Sequence, residues 1–290
     1  MIIGGSKRAV IDNIQKYANA GLLNHKVEIN DASLNQNQRI NLIHDYLQLI
    51  KMPKYHVNNL IARGLADVLT ELLNTKTTFS GLEKIKNITG GAIITSNHFS
   101  PLENTVVRKT LWQIKHRRLF IVSEDTNLLT NGFIGFLLKY YDTIPVSPDV
   151  EYIGKVFPKM IKGVLNDNNF ILIYPEQEMW FNYRKPRPPK RGAYYYAAKF
   201  HVPIISCFVE IIDLQEPDNY EFNKVKFKMH ILDPIYLDPN KSVRENSIEM
   251  MQRDYQQKKK AYEQIYDEKL TYNFNIKDIA GWRAGTNKNN

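Results

Sequence analysis

The sequence predicts an α/β protein with a mostly parallel central sheet flanked by helices, an N-terminal helical segment before it and a long C-terminal helix after it. Three observations carry that expectation. Between about residues 90 and 235, short apolar runs alternate with stretches of helical periodicity, the pattern of βαβ units. Residues 39–50 and 59–73 each repeat apolar residues at helical spacing before the first such run. Residues 243–266 read as one unbroken, densely charged helix. The divisions implied are a helical segment at 1–80, an α/β unit at 81–238, and a C-terminal helix with a polar tail at 239–290.

In the N-terminal segment the apolar positions are Ile40, Leu42, Ile43, Tyr46, Leu47 and Ile50, then Leu60, Ile61, Leu65, Val68, Leu69, Leu72 and Leu73. Lys51, Lys54, His56 and Arg63 lie among them. Such a pair has two readings: helices packed on the main domain, the commoner use of an amphipathic face, or an interfacial pair resting on a bilayer. Strands are expected at 92–96, 119–123, 143–146, 170–174, 203–211 and 224–232, and helices at 101–112, 133–140, 153–165 and 192–200. The helix at 101–112 has the fullest start signals. Ser100 suits an N-cap, Pro101 suits the first helical position, and Glu103 completes a Ser-x-x-Glu capping box. The run Gln257-Lys258-Lys259-Lys260 reads as a solvated face, and residues after Trp282 as a polar end that frays.

The 290 residues are ample for one sizeable core, and 43% hydrophobic with 24% charged residues describes a globular chain. The net charge of +9 favours anionic partners but does not choose between lipid, phosphorylated substrate and nucleic acid. No nucleic-acid-binding signature is present, so no nucleic-acid partner is expected. The single cysteine, Cys207, sits in an apolar run and reads as a small buried hydrophobe. The histidines form no paired metal motif, so no catalytic metal and no cofactor are expected. The N-terminal run Met1-Ile2-Ile3-Gly4-Gly5-Ser6-Lys7-Arg8 does not read as a signal peptide, and no run approaches the ~20 apolar residues of a spanning helix. The expected location is cytoplasmic, with peripheral attachment to the inner face of the membrane.

Two strand ends carry the chemistry. The run Gly91-Ala92-Ile93-Ile94-Thr95-Ser96 leads into Asn97-His98-Phe99-Ser100-Pro101-Leu102-Glu103, which brings an imidazole and a carboxylate to one end of the sheet. The run Ile171-Leu172-Ile173 ends in Tyr174-Pro175-Glu176, and a basic loop follows, Arg184-Lys185-Pro186-Arg187-Pro188-Pro189-Lys190-Arg191. Its prolines stiffen it, its guanidinium forks suit phosphate, and it opens onto a helix N-terminus at Gly192. Arg184, Lys185 and Arg187 are therefore expected to hold a phosphate; the plainer readings are a solvated basic loop or a patch for anionic headgroups.

Asn97-His98 followed by an acid five positions on resembles the His-x-x-x-x-Asp motif of glycerolipid acyltransferases of the lysophosphatidic acid acyltransferase type, with Glu103 in place of Asp. Tyr174-Pro175-Glu176 is similar to the start of that family's Phe-Pro-Glu-Gly-Thr-Arg motif. Gln177 and Glu178 replace its Gly and Thr, and Met179 stands where its Arg would be. Val202-Pro203 resembles a later Val-Pro-x-x-Pro element without the second proline, and Tyr141–Ser147 falls in the interval of a central motif but lacks its arginine. The resemblance covers roughly residues 85–215.

It implies transfer of a fatty acyl group from a coenzyme A or acyl carrier protein thioester to the hydroxyl of lysophosphatidic acid. His98 would be the general base and Glu103 its partner, with Asn97, Ser100, Tyr174, Pro175 and Glu176 lining the substrate site. A histidine, with its ordinary pKa of about 6.5, suits the removal of a hydroxyl proton as the new bond forms. Glu103 also has a reading as a helix cap alone, and the two roles are compatible, since a carboxylate has two oxygens. Ser100 lacks a nucleophile elbow. Backbone N–H groups near Ser100 or Gly192 are candidates for an oxyanion site. The competing readings are a membrane-surface protein that has lost catalysis, and the same chemistry on a glycolipid or other polyol acceptor.

Overall fold

A computed structural model describes residues 6–29, 34–114 and 118–283. Residues 284–290, most of the polar end expected to fray, lie outside the described residues, as do residues 1–5 of the N-terminal run. Three helices come first, α1 (Arg8–Asn19), α2 (Gln36–Leu49) and α3 (Pro53–Leu73). Strands β1 (Thr78–Ser80), β2 (Ala92–Thr95), β3 (Leu119–Glu124), β4 (Thr143–Val146) and β5 (Phe170–Ile173) then alternate with helices α4 (Asn104–Trp112), α5 (Gly132–Tyr140) and α6 (Phe157–Asn166). Helix α7 (Gly192–Phe200), strands β6 (Ile204–Pro217) and β7 (Asn223–Ile231) and helix α8 (Val243–Tyr266) follow.

The strands form one seven-stranded sheet in the order β1-β7-β6-β2-β5-β3-β4. Every neighbouring pair is parallel except β6 and β7, which are joined by a hairpin. The central strands β2 and β5 are apolar apart from Thr95 because both their faces are covered. Ile93 and Ile94 are adjacent and point to opposite faces. Ile94 joins Phe99, Val106, Val107 and Leu111 on the α4 side. Ile93 joins Ile161 and Leu165 of α6, Tyr194 and Ala197 of α7, and Met250 of α8. A Cβ on Gly91 would sit 2.4 Å from the Leu165 carbonyl oxygen, so glycine is what lets β2 start against the end of α6.

Four expectations are corrected. Helix α4 begins at Asn104, not Pro101, and residues 101–103 form a turn. Half of the capping box forms: the Ser100 N–H donates to Glu103 Oε2 at 2.7 Å, while Ser100 Oγ accepts from Leu102 instead of Glu103. The helix expected at 153–165 opens as a π-turn, Tyr152–Val156, before α6. Pro158 explains the change of register, since it has no N–H for the carbonyl four residues earlier. Strand β1 was not expected, because three residues show no periodicity.

The fourth correction concerns the lysine run. Lys258 is buried, and its Nζ lies 2.8 Å from Asp254 Oδ2 and 3.0 Å from Thr95 Oγ1. Thr95 and Tyr194 both donate to Asp254. Met250, Asp254, Lys258 and Tyr262 form an i, i+4 stripe facing inward. This network fastens α8 beneath the end of β2. Cys207 is buried nearby, and burial pushes its thiol up to about 12.

Helix α3 packs inside out. Its small residues Ala62 and Ala66 meet Leu137 and Tyr141, while Val57, Leu60, Ile61, Leu65, Val68 and Leu72 are exposed.

Removal of one partner from a buried ion pair leaves the other charge stranded. Lys258→Met is therefore expected to lower unfolding free energy by about 3–5 kcal/mol in a urea titration, and Lys260→Met by less than about 0.5 kcal/mol.

Candidate active site

Strands β2 and β5 are parallel neighbours, with Thr95 opposite Ile173. Both chains therefore leave the sheet at one level, one into Ser96-Asn97-His98 and the other into Tyr174-Pro175-Glu176. Asn97 is buried and bridges to the next strand. Its side-chain N–H donates to the Val209 carbonyl at 3.1 Å, and its side-chain oxygen accepts the Val209 N–H at 2.8 Å. That pair of bonds sets the turn that carries His98.

The His98 ring stacks on Tyr174, with centroids 4.0 Å apart and planes 8° from parallel. Its Nδ1 bonds Glu103 Oε1, and Glu103 is buried. The second Glu103 oxygen takes the Ser100 N–H, so one carboxylate both caps the turn and holds the imidazole. A carboxylate on Nδ1 fixes the tautomer with Nε2 as the basic nitrogen. Among the described residues no protein group bonds that Nε2, and the His98 side chain is 20% exposed. Burial pushes the Tyr174 phenol well up, and the Glu103 charge adds to the effect.

The loop after β5 folds back on His98. The Trp180 N–H donates to the His98 carbonyl at 3.0 Å, and the Asn182 N–H to the Phe99 carbonyl at 2.9 Å. A buried ion pair lies underneath. Glu176 Oε2 accepts from Arg187 Nε at 3.0 Å and from the His98 backbone N–H at 3.3 Å, and Oε1 accepts the Arg187 N–H at 3.0 Å. Arg187 Nη1 donates to the Leu23 carbonyl at 3.0 Å, Nη2 to the carbonyls of His98 and Glu178, and the guanidinium lies over Trp180. Asn24 reaches the carbonyls of Glu176 and Pro188, and Trp180 Nε1 donates to the His25 carbonyl. The segment after α1 thus clasps the site loop.

This geometry corrects the substrate-binding assignments. Arg187 is fully enclosed and its donors are used within the protein, so it is not free to hold a phosphate. Lys185 is buried against Asp278 at 2.7 Å and the Asn273 carbonyl at 3.3 Å. Arg184 pairs with Asp213 at 2.6 Å. Glu176 spends both oxygens on Arg187 and His98, and Asn97 spends its amide on Val209. Pro175 is buried and its carbonyl accepts the Lys190 N–H at 2.7 Å. Ser100 and Tyr174 remain partly exposed beside His98, but the Ser100 N–H is taken by Glu103 and is no oxyanion donor.

Sequence reasoning missed the rim. Glu178 is half-buried beyond the Glu176 turn, its carbonyl sharing one Arg187 nitrogen with the His98 carbonyl. Glu124 ends β3; it lies 3.4 Å from Lys26 and 3.5 Å from Arg39, which also pairs with Asp125. Burial raises the Glu178 pKa, Lys26 opposes that rise and Glu124 adds to it. Nothing in their spacing announces these contacts, which join residues far apart in the chain. Among the described residues no group of three or more His, Cys, Asp or Glu is placed to hold a metal ion.

A histidine held by a buried carboxylate thus lies at the carboxyl ends of neighbouring parallel strands, where α/β folds place their sites. Residues 76–210 match the family model described as Acyltransferase, in accord with the two motifs that resemble glycerolipid acyltransferases. In fold it is similar to a crystal structure of the 1-acyl-sn-glycerophosphate (LPA) acyltransferase PlsC from Thermotoga maritima. The TM-score is 0.50 at 12% identity, over 91% of this chain and 98% of that one. No curated protein matches the chain in sequence.

The buried and the rim arginines are expected to behave differently. Arg187→Met should cost about 3–5 kcal/mol of stability by urea denaturation and Arg184→Met about 1 kcal/mol or less. Equal losses would show that the loop does not hang on the Glu176 pair.

Proposed function

We propose that the protein moves a fatty acyl group from a thioester, on coenzyme A or acyl carrier protein, to the free hydroxyl of a lysolipid. His98 acts as general base and Glu103 holds its ring. The observation that carries this reading is the Nδ1 bond to buried Glu103 with Nε2 left open on a partly exposed ring. The acceptor hydroxyl gives its proton to Nε2 as its oxygen bonds the thioester carbonyl carbon. The tetrahedral intermediate then expels the thiolate as the C–S bond breaks, and the imidazolium returns the proton to the sulfur. The acceptor hydroxyl stands where a hydrolase has its serine, so no acyl-enzyme is needed. Lysophosphatidic acid is the acceptor implied by the motifs; a polyol lipid is the alternative.

A lipid acceptor requires access to a membrane, and no described helix is long and apolar enough to cross one. The reading is peripheral docking at the inner face through α3. Val57, Leu60, Ile61, Leu65, Val68 and Leu72 form one outward stripe, with Leu60 69% and Leu72 68% exposed. Phe133 and Ile134 of neighbouring α5 extend it, and Lys51 and Lys54, exposed at the start of α3, suit anionic headgroups.

His98→Ala is expected to cut acyl transfer by about 10²–10⁴-fold with an unchanged circular dichroism spectrum. Turnover at the wild-type rate would remove the central claim. Glu103→Asp should keep more activity than Glu103→Gln; equal activities would leave Glu103 as a cap alone. The double variant Leu60→Glu, Leu72→Glu should lose co-sedimentation with anionic vesicles while it still acylates a detergent-dispersed acceptor. Retained sedimentation would place the docking surface elsewhere.

A further inference from the structure

We infer that the acceptor reaching His98 carries an uncharged polyol head group, such as a sugar or glycerol, rather than a phosphate monoester, and that Glu178 is the residue that selects it. The inference rests on the acyl-transfer reading above and names the substrate class for the same site.

Two observations carry it. The first is the fate of the loop cations. Arg187 is neutralised by Glu176, Lys185 by Asp278 and Arg184 by Asp213. The first two pairs are buried, so a phosphate would have to displace a carboxylate from inside the protein to reach them. Such an exchange strands a buried carboxylate, which is costly.

The second observation is the sign of the charge at the mouth. One nitrogen of Arg187 bonds both the His98 and Glu178 carbonyls, which holds the Glu178 backbone against that of His98. The Glu178 carboxylate has no hydrogen bond of its own among the described residues, unlike the neighbouring Glu176. Glu124 adds a second carboxylate, offset by Lys26 and Arg39, while Arg39 also serves Asp125. Two cations, Lys26 and Arg39, stand against three carboxylates, Glu124, Asp125 and Glu178, so this rim carries one surplus negative charge.

A dianionic phosphate monoester beside the Glu178 carboxylate meets like-charge repulsion in a half-buried setting, where screening is weak. A hydroxyl meets an acceptor. An ionised carboxylate has acceptor sites only, and vicinal hydroxyls have the donors that fill them. Met179 next to Glu178 offers no cation either. In the transfer, one hydroxyl of the polyol gives its proton to His98 and becomes the ester oxygen, while a second donates to Glu178 and fixes which hydroxyl is presented.

The test is product analysis by mass spectrometry with the full chain, acyl-coenzyme A and three acceptors in mixed micelles. These are lysophosphatidic acid, monoacylglycerol and a monoacyl glucosylglycerol. Wild type is expected to acylate the better of the two polyol acceptors with kcat/KM at least about tenfold above lysophosphatidic acid, a margin well within what one misplaced charge costs. Glu178→Lys should reverse that order, chiefly through a lower KM for lysophosphatidic acid. The isosteric Glu178→Gln should raise the KM for the polyol acceptor and narrow the gap without reversing it. Equal or better use of lysophosphatidic acid by wild type would overturn the inference and move phosphate binding to Lys190 and Arg191, which are exposed at the start of α7. So would a KM for lysophosphatidic acid that does not respond to Glu178→Lys. Acylation of none of the three would overturn the acyl-transfer reading itself, and the acceptor assignment with it.

Discussion

The buried pair of Glu176 and Arg187 is the constraint on which the site depends. Burial lowers the guanidinium pKa and the carboxylate beside it works against that shift, so the pair holds only while both partners stay in place. Through it the two strand ends become one object. Glu176 holds the His98 N–H, Arg187 holds the His98 carbonyl, and the loop between them lays Trp180 and Asn182 along residues 98 and 99. The imidazole is thus fixed from its backbone as well as from Glu103.

The chain ends serve the same centre. The stretch after α1 supplies carbonyls to Arg187 and Trp180 and an amide to Glu176 and Pro188. Near the other end, Asp278 takes Lys185 and Tyr272 donates to the Pro186 carbonyl. A proline-rich loop with five cations is held in one shape by contacts drawn from more than 150 positions upstream and some 90 downstream. Those contacts convert a stretch that looks like an anion clamp into a rigid floor under His98 and Glu103. They also leave Glu178 and Glu124, with Lys26 and Arg39, as the charged groups of the rim.

Much of the architecture was legible along the chain. The alternation of apolar runs and helical periods gave the order of elements, because burial on both faces forces the central strands to be apolar throughout and the helices to be striped. The boundaries of β4, α7 and α8 are those expected. What periodicity cannot express was missed: the three-residue β1, the π-turn ahead of Pro158, and the inward face of α8. Lys258 sits in a triple-lysine run, and only the Asp254 one turn earlier on a packed face makes its burial tolerable. In α3 the sequence left packing on the domain and resting on a bilayer both open, and in the fold Ala62 and Ala66 make the contact while Leu60, Leu65 and Leu72 are exposed.

The pairing of His98 with Glu103 could be read from residue order, because both belong to one strand–turn–helix unit and five positions set their distance. The same holds for a Tyr-Pro-Glu end on a neighbouring strand, since parallel strands deliver their carboxyl ends to one edge. Which cations stay available to a ligand could not be read that way. Arg184, Lys185 and Arg187 are indistinguishable as letters from a phosphate site, and their partners Asp213, Asp278 and Glu176 lie 29, 93 and 11 positions away. Ion pairing is decided by distance in space and by the loss of water around both charges, and the folded chain alone sets those two quantities.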